Sequence, residues 1–163
     1  MTVVKSPLPD DALKVTGETL QNTLIDLIDL TLVAKQAHWN LTGSHFRSVH
    51  LQLDEVVVLA RNHTDIVAER AAAIGVSPDG RAKTVAAESN VPGVKSGWIK
   101  DTDGVRSMIT LLRTIVARVR QRIDETAEAD PVTQDIFIDI ARDLEKQAWM
   151  FEVQLADRPA GGA

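Results

Sequence analysis

The sequence predicts an all-α chain, a bundle of four long helices with one long crossover between the second and third. Three observations predict it. Apolar residues recur at helical spacing through four segments of about 25 to 30 residues. Nothing alternates with the two-residue period of a half-buried strand. And a stretch rich in Gly, Pro, Ser and Asn, residues 75 to 101, sits in the middle, too long for an ordinary helix–helix turn. A connection of that length carries the chain from one end of a bundle to the other.

The elements follow in order. Residues 1 to 10 read as a short flexible tail, with Asp10 and Asp11 offering N-cap chemistry. Leu20, Leu24, Leu27, Ile28, Val33 and Ala34 keep the helical period, and Gly43 in "LTGS" stops the first helix after about Leu41. The second helix is expected from Ser44 or His45, carrying Val49, Leu53, Val56, Val57, Ala60, Val67 and Ala71, up to Gly75 and Pro78. The crossover has room for a short helix around Lys83 to Glu88. The third helix runs from Thr102 or Asp103 to about Glu128. Asp130 is a good N-cap and Pro131 a good first residue for the fourth, which reaches about Leu155. Residues 157 to 163 form a second short tail, so the whole chain, 1 to 163, reads as one domain.

Composition excludes several classes. The chain has 163 residues, is 44% hydrophobic and 25% charged, and carries a net charge of −5. That balance does not draw a protein to nucleic acid or anionic lipid. There is no cysteine, which rules out disulfides and thiolate metal sites. With no signal-like segment and no run of 18 apolar residues, the expected address is cytoplasmic and no membrane partner is expected.

The chemistry-bearing residues concentrate in "KQAHWNLTGSHFRSVHLQLDE", residues 35 to 55, with three of the four histidines. His50, Asp54, Asp65 and Glu69 fall at roughly 0°, 40°, 60° and 100° around the second helix. One stripe thus holds a histidine and three carboxylates, a ligand set for iron, manganese or zinc, or else a solvated face. His38 lies on the apolar stripe of Leu24, Leu27, Thr31 and Ala34, across a tight turn from His50. Asp54 and Asp65 are about 16 Å apart along one helix, so a single ion cannot bridge the His50/Asp54 and Asp65/Glu69 pairs of one chain. Two antiparallel copies of the helix across a two-fold axis offer that bridge. Glu-x-x-His, the pair used by di-iron bundles within one chain, does not occur.

The bundle's connectivity is ferritin-like, and the quoted stretch together with "TDIVAER" resembles the Dps proteins, the miniferritins. The family pattern H-W-N-x-x-G-x-x-F-x-x-x-H-x-x-x-D, followed ten residues later by D-x-x-A-E-R, is present in full: His38, Trp39, Asn40, Gly43, Phe46, His50, Asp54, Asp65, Ala68, Glu69 and Arg70. "RDLEKQAWMFE" also resembles the family's last helix, and the likeness spans about residues 18 to 156. The resemblance implies a homododecamer of tetrahedral symmetry. It implies a ferroxidase that oxidises Fe(II), preferentially with hydrogen peroxide, and stores a ferric oxide mineral, protecting DNA from oxidative damage. Iron is the substrate, and neither haem nor an organic cofactor is expected. The site would take His38, His50 and Asp54 from one chain and Asp65 and Glu69 from its partner.

Around that site, Lys35 either pairs with Asp65 or Glu69 or is a plain surface lysine. Trp39 and Trp149 match the family's tryptophans near the iron, with core packing as the alternative. His45 and His63 match no ligand position and read as surface residues. Asp130, Asp135 and Asp139 fit the acidic three-fold pore through which iron enters. Two other readings remain open: a nucleoid-binding structural protein with secondary iron chemistry, and an enzyme with a di-metal centre acting on a small substrate. The first wants basic tails, yet Lys5 faces Asp10 and Asp11, and Arg158 faces Asp157. DNA binding is therefore expected to be weak or absent, with Arg118, Arg120 and Arg122 the best candidates for a local basic patch and nucleoid association.

Overall fold

The computed structural model describes residues 4–156. Helix α1 spans Asp10–Asn40, strand β1 Leu41–Thr42 and helix α2 Phe46–Ala73. A short helix α3, Ala82–Glu88, and strand β2, Ile99–Lys100, lie in the crossover, followed by α4, Asp101–Thr126, and α5, Pro131–Leu155. The four long helices and the short one match the sequence reading. Asp10 and Asp11 differ in role: they sit inside the first turn of α1, after a Pro9 N-cap that makes no side-chain bond. There they favour the helix by placing negative charge at its positive end. Asp130 caps α5 as expected, accepting from the Val132 N–H, with Pro131 in the first turn. Residues 1–3, the start of the first expected tail, and 157–163, the whole of the second, lie outside the described residues. Leu8 packs half-buried against the core.

Two antiparallel helix pairs, α1 with α2 and α4 with α5, face each other. Their apolar stripes fill the space between. Leu20, Leu24, Leu27 and Leu30 come from α1, and Leu53, Val56, Ala60 and Val67 from α2. From the other pair come Met108, Leu112, Ile115 and Val119, with Phe137, Ile140, Leu144 and Phe151. The repeats of three and four residues are those the sequence showed, because only one face of each helix can reach the axis. Burying each large side chain contributes about 1.5–3 kcal/mol.

The crossover runs the length of the bundle and is pinned as it goes. Gln21 and Asp79 exchange hydrogen bonds: Gln21 Nε2 donates to the Asp79 carbonyl and the Asp79 N–H donates to Gln21 Oε1, both at 2.9 Å. Ser89 Oγ donates to the Asp29 carboxylate. Arg118 Nη2 donates to the Asn90 carbonyl at 2.8 Å. At the far end β2 pairs in parallel with β1, Leu41 opposite Ile99 and Thr42 opposite Lys100. Two residues per strand are too few to leave an alternating pattern, so this bridge has no signature in the sequence.

Asp26 is a deeply buried charge of the bundle, 3% exposed on α1. Arg118 Nη1 donates to its Oδ1 at 2.7 Å. Arg122 Nη2 lies 2.8 Å from Oδ2, a charge contact rather than an aligned hydrogen bond. Arg120 pairs with Glu145 at 2.5 Å. The three arginines expected to form a basic patch are therefore each matched by a carboxylate, because α4 packs beside α1 and α5. Asp26→Asn should cost on the order of 3 kcal/mol by uncoupling two guanidiniums from their counter-charge. Calorimetry of the intact protein should show a clear drop in melting temperature, and an unchanged value would mean that the pairs are not coupled to folding.

Candidate metal centre

The last turn of α1 and the first turns of α2 meet at the Leu41–His45 turn. His38 is 7% exposed, and His50 and Asp54, one turn apart on α2, are half-buried. The two imidazoles exchange hydrogen bonds across the turn. His38 Nδ1 lies 3.0 Å from the His50 carbonyl, and His50 Nδ1 lies 3.0 Å from the His38 carbonyl. A carbonyl oxygen only accepts, so each Nδ1 carries the hydrogen and each Nε2 keeps its lone pair for a ligand. The rings stack with centroids 3.6 Å apart and an interplanar angle of 21°, and Phe46 covers the His50 ring at 4.9 Å.

Asp54 completes the cluster. His38, His50 and Asp54 each offer one ligand atom, and these atoms lie within 4.8 Å of one another. Lys35, one turn before His38, hydrogen-bonds the Asp54 carboxylate. The pairing follows from antiparallel packing, which sets residue 35 beside residue 54. The Lys35 hydrogen bond, with smaller contributions from the charges of His38, Lys35 and His50, holds Asp54 below the usual carboxylate range. Two imidazole nitrogens, with the rings uncharged, and an ionised carboxylate would suit a first-row divalent ion such as Fe(II). Three protein ligands leave part of its shell open.

The other expected site residues are spread out. Asp65 and Glu69 stand exposed on the same α2 stripe, about three and four turns beyond Asp54 and out of its reach. Trp39 and Trp149 are 65% and 58% exposed, so neither is packed into this chain's core. Asp135 is exposed and Asp139 half-exposed, with Arg142 Nη2 2.8 Å from Asp139 Oδ1. Asp130 departs from a pore-lining role. It is 3% exposed, takes a hydrogen bond from Arg70 Nη2 at 2.6 Å and another from the Thr133 hydroxyl. Those bonds to the charged form outweigh its burial and keep its pKa low.

His45 is exposed as expected, but His63 is not. It is buried between α2 and α5, with Nε2 2.9 Å from Asp143 Oδ2. Its surface reading failed because the polar partner lies 80 residues away, where no local pattern announces it.

A family model for the ferritin-like domain matches residues 17–159. The chain is 34% identical over 155 residues to a DNA protection during starvation protein of Agrobacterium fabrum, covering 94% of this chain and 96% of that relative. It also resembles the solved Dps92 of Deinococcus radiodurans at 32% identity and a TM-score of 0.88, covering 91% and 90% of the two chains. Dps of Microbacterium arborescens, solved in a high iron form, is similar at 28% identity and a TM-score of 0.89, over 94% and 99%. A ferritin-like fold, a sequence match along nearly the whole chain and a histidine–carboxylate cluster on the α1–α2 turn agree, and the chain belongs to the Dps proteins of the ferritin-like family.

Proposed function

We propose that the chain is a subunit of a cytoplasmic homododecameric shell that oxidises Fe(II) and stores the ferric product as an oxide mineral. The observation that carries this reading is the His38–His50–Asp54 cluster, a metal site with three ligands on one chain and its remaining ligands missing from that chain. Asp65 and Glu69 lie about 16 and 22 Å from Asp54 along the same helix and cannot turn back to it. A second copy, running antiparallel across a two-fold axis, supplies them. Leu51 and Val58, 46% and 60% exposed, lie on the same stripe of α2, which suits a face covered by another chain.

The chemistry follows from the ligands. Carboxylates hold the ferric product better than the ferrous substrate, and few nitrogen ligands keep ferrous binding weak enough for turnover. Two ferrous ions each give one electron to hydrogen peroxide. With two waters the products are two FeO(OH) and four protons, so atoms and charge balance and no hydroxyl radical is released. Removing both ingredients of that radical protects DNA without contact. Trp39 and Trp149, exposed on one chain, stand where the resemblance puts side chains able to absorb stray oxidising equivalents.

A His38→Ala shell and a Glu69→Ala shell should each oxidise Fe(II) slowly, by at least tenfold relative to wild type. Shells reassembled from a mixture should recover part of the activity, because some interfaces then pair two intact halves. Stopped-flow absorbance of ferric product reads the rate, and no recovery in shells shown to be mixed would sink the two-chain site.

Iron entry is assigned to Asp135 and Asp139 around a three-fold channel, with Asp130 held back by Arg70 as the cap that shapes the start of α5. Asp135→Asn with Asp139→Asn should slow uptake at low ionic strength, and the wild-type advantage should shrink as salt screens the field. Equal uptake by both shells at low salt would mean that iron takes another route.

DNA binding is assigned a minor place. Twelve chains of net charge −5 give a shell of about −60, and Arg118, Arg120 and Arg122 are already paired. A gel-shift titration at about 150 mM salt should show no complex at sub-micromolar shell without added divalent metal. A clear shift there would restore the nucleoid-binding reading.

A further inference from the structure

We infer that Asp101, the first residue of α4, is the positioning residue that sets the iron half-site, an inference that rests on the iron reading above. Asp101 is 6% exposed and stands at the end of the crossover, 51 residues beyond His50 in the chain. Its two oxygens have separate tasks. Oδ2 accepts from the His45 N–H at 2.7 Å, and Oδ1 accepts from the Thr102 N–H at 2.8 Å. The hydrogen bond from His45, the larger cause, keeps the carboxyl below the usual carboxylate range and so ionised.

The turn between the two site histidines is built around this carboxylate. Gly43 has φ +133°, and a Cβ there would lie 2.4 Å from Asp101 Oδ2. Only glycine takes that conformation without strain, and only glycine leaves room for the carboxylate. α2 begins after His45 without a side-chain cap of its own, and Asp101 accepts the His45 N–H in its place. On the other side of the turn, Leu41 and Thr42 are bridged to Ile99 and Lys100, and Thr42 Oγ1 donates to the Ile99 carbonyl at 3.3 Å. The strand and carboxylate at the end of the crossover thus grip both halves of the turn.

His38 precedes the turn by three residues and His50 begins five residues after His45. Their exchange of Nδ1–carbonyl bonds needs the ends of α1 and α2 in one register, since each ring reads the other's backbone. Losing the grip shifts one backbone against the other and swings both Nε2 atoms off a common ion. Asparagine at 101 keeps the shape but has one acceptor for two N–H groups. Whichever way the amide turns, its NH₂ faces a backbone donor.

The test compares full-length wild type with Asp101→Asn, Asp101→Ser and a control, Gln21→Ala, which cuts the crossover's anchor at its other end. Cobalt(II) is the probe metal, read by its visible absorption, beside KM and kcat for Fe(II) oxidation. Asp101→Asn should bind cobalt about tenfold more weakly, with an altered band, and raise KM by a similar factor with a smaller change in kcat. Gln21→Ala should lower the melting temperature and move neither. If the wild type binds no cobalt and oxidises no iron, the iron reading itself is wrong. If the wild type does both and assembled Asp101→Asn matches it, the positioning role is wrong. Should Asp101→Asn not assemble, Asp101→Ser, with one acceptor left, decides in the same way: wild-type cobalt affinity and KM overturn the inference.

Discussion

Each of two imidazoles gives its Nδ1 hydrogen to the other's backbone carbonyl, and both Nε2 lone pairs are thereby left for a ligand. A histidine fixed by a side-chain partner has the latitude of that partner. A histidine fixed by backbone has almost none, because the carbonyls of His38 and His50 belong to helices that are themselves packed into the core. The candidate metal centre is thus as rigid as the α1–α2 pair. Asp54 joins it by the one-turn spacing of α2 alone. Lys35 then holds the carboxylate charged and turned toward the rings.

Rigid helices need a rigid joint, and the joint here is made by residues far away in sequence. The turn of Leu41 to His45 has no cap of its own. The end of the long crossover provides one, by a two-residue parallel bridge and a buried carboxylate. The crossover thereby does more than return the chain for a second helix pair. Its other attachments, Gln21 with Asp79 and Arg118 with the Asn90 carbonyl, fasten it along the bundle away from the turn.

Buried polar groups elsewhere act as locks between helices. Asp26 joins α1 to α4 through Arg118 and Arg122, Asp130 takes Arg70 from α2, and Asp143 takes His63. Each lock removes charges that a linear reading assigns to the surface. The carboxylates left free, Asp65, Glu69 and Asp135, are the exposed ones that the proposed shell uses between chains. An uncompensated buried charge is costly, so a carboxylate without a partner in its own chain stays at the surface.

The sequence by itself determined the four helices, the crossover and its short helix, because apolar spacing and Gly/Pro punctuation are local signals. It also set His50 and Asp54 one helical repeat apart, His38 across a tight turn from His50, and Asp65 and Glu69 out of Asp54's reach. That His38, His50 and Asp54 group together was implied by the family resemblance, and the fold brings them together. Tertiary structure alone decided which charges meet. Lys35 found Asp54, Asp130 found Arg70, His63 found Asp143, and Asp101 found the turn at Gly43. Those partners lie 19 to 80 residues apart. Nothing in the periodicity of one helix encodes which residue of another stands opposite. That is settled only when the apolar stripes are buried together, and the register they choose then fixes every polar pair along the seams.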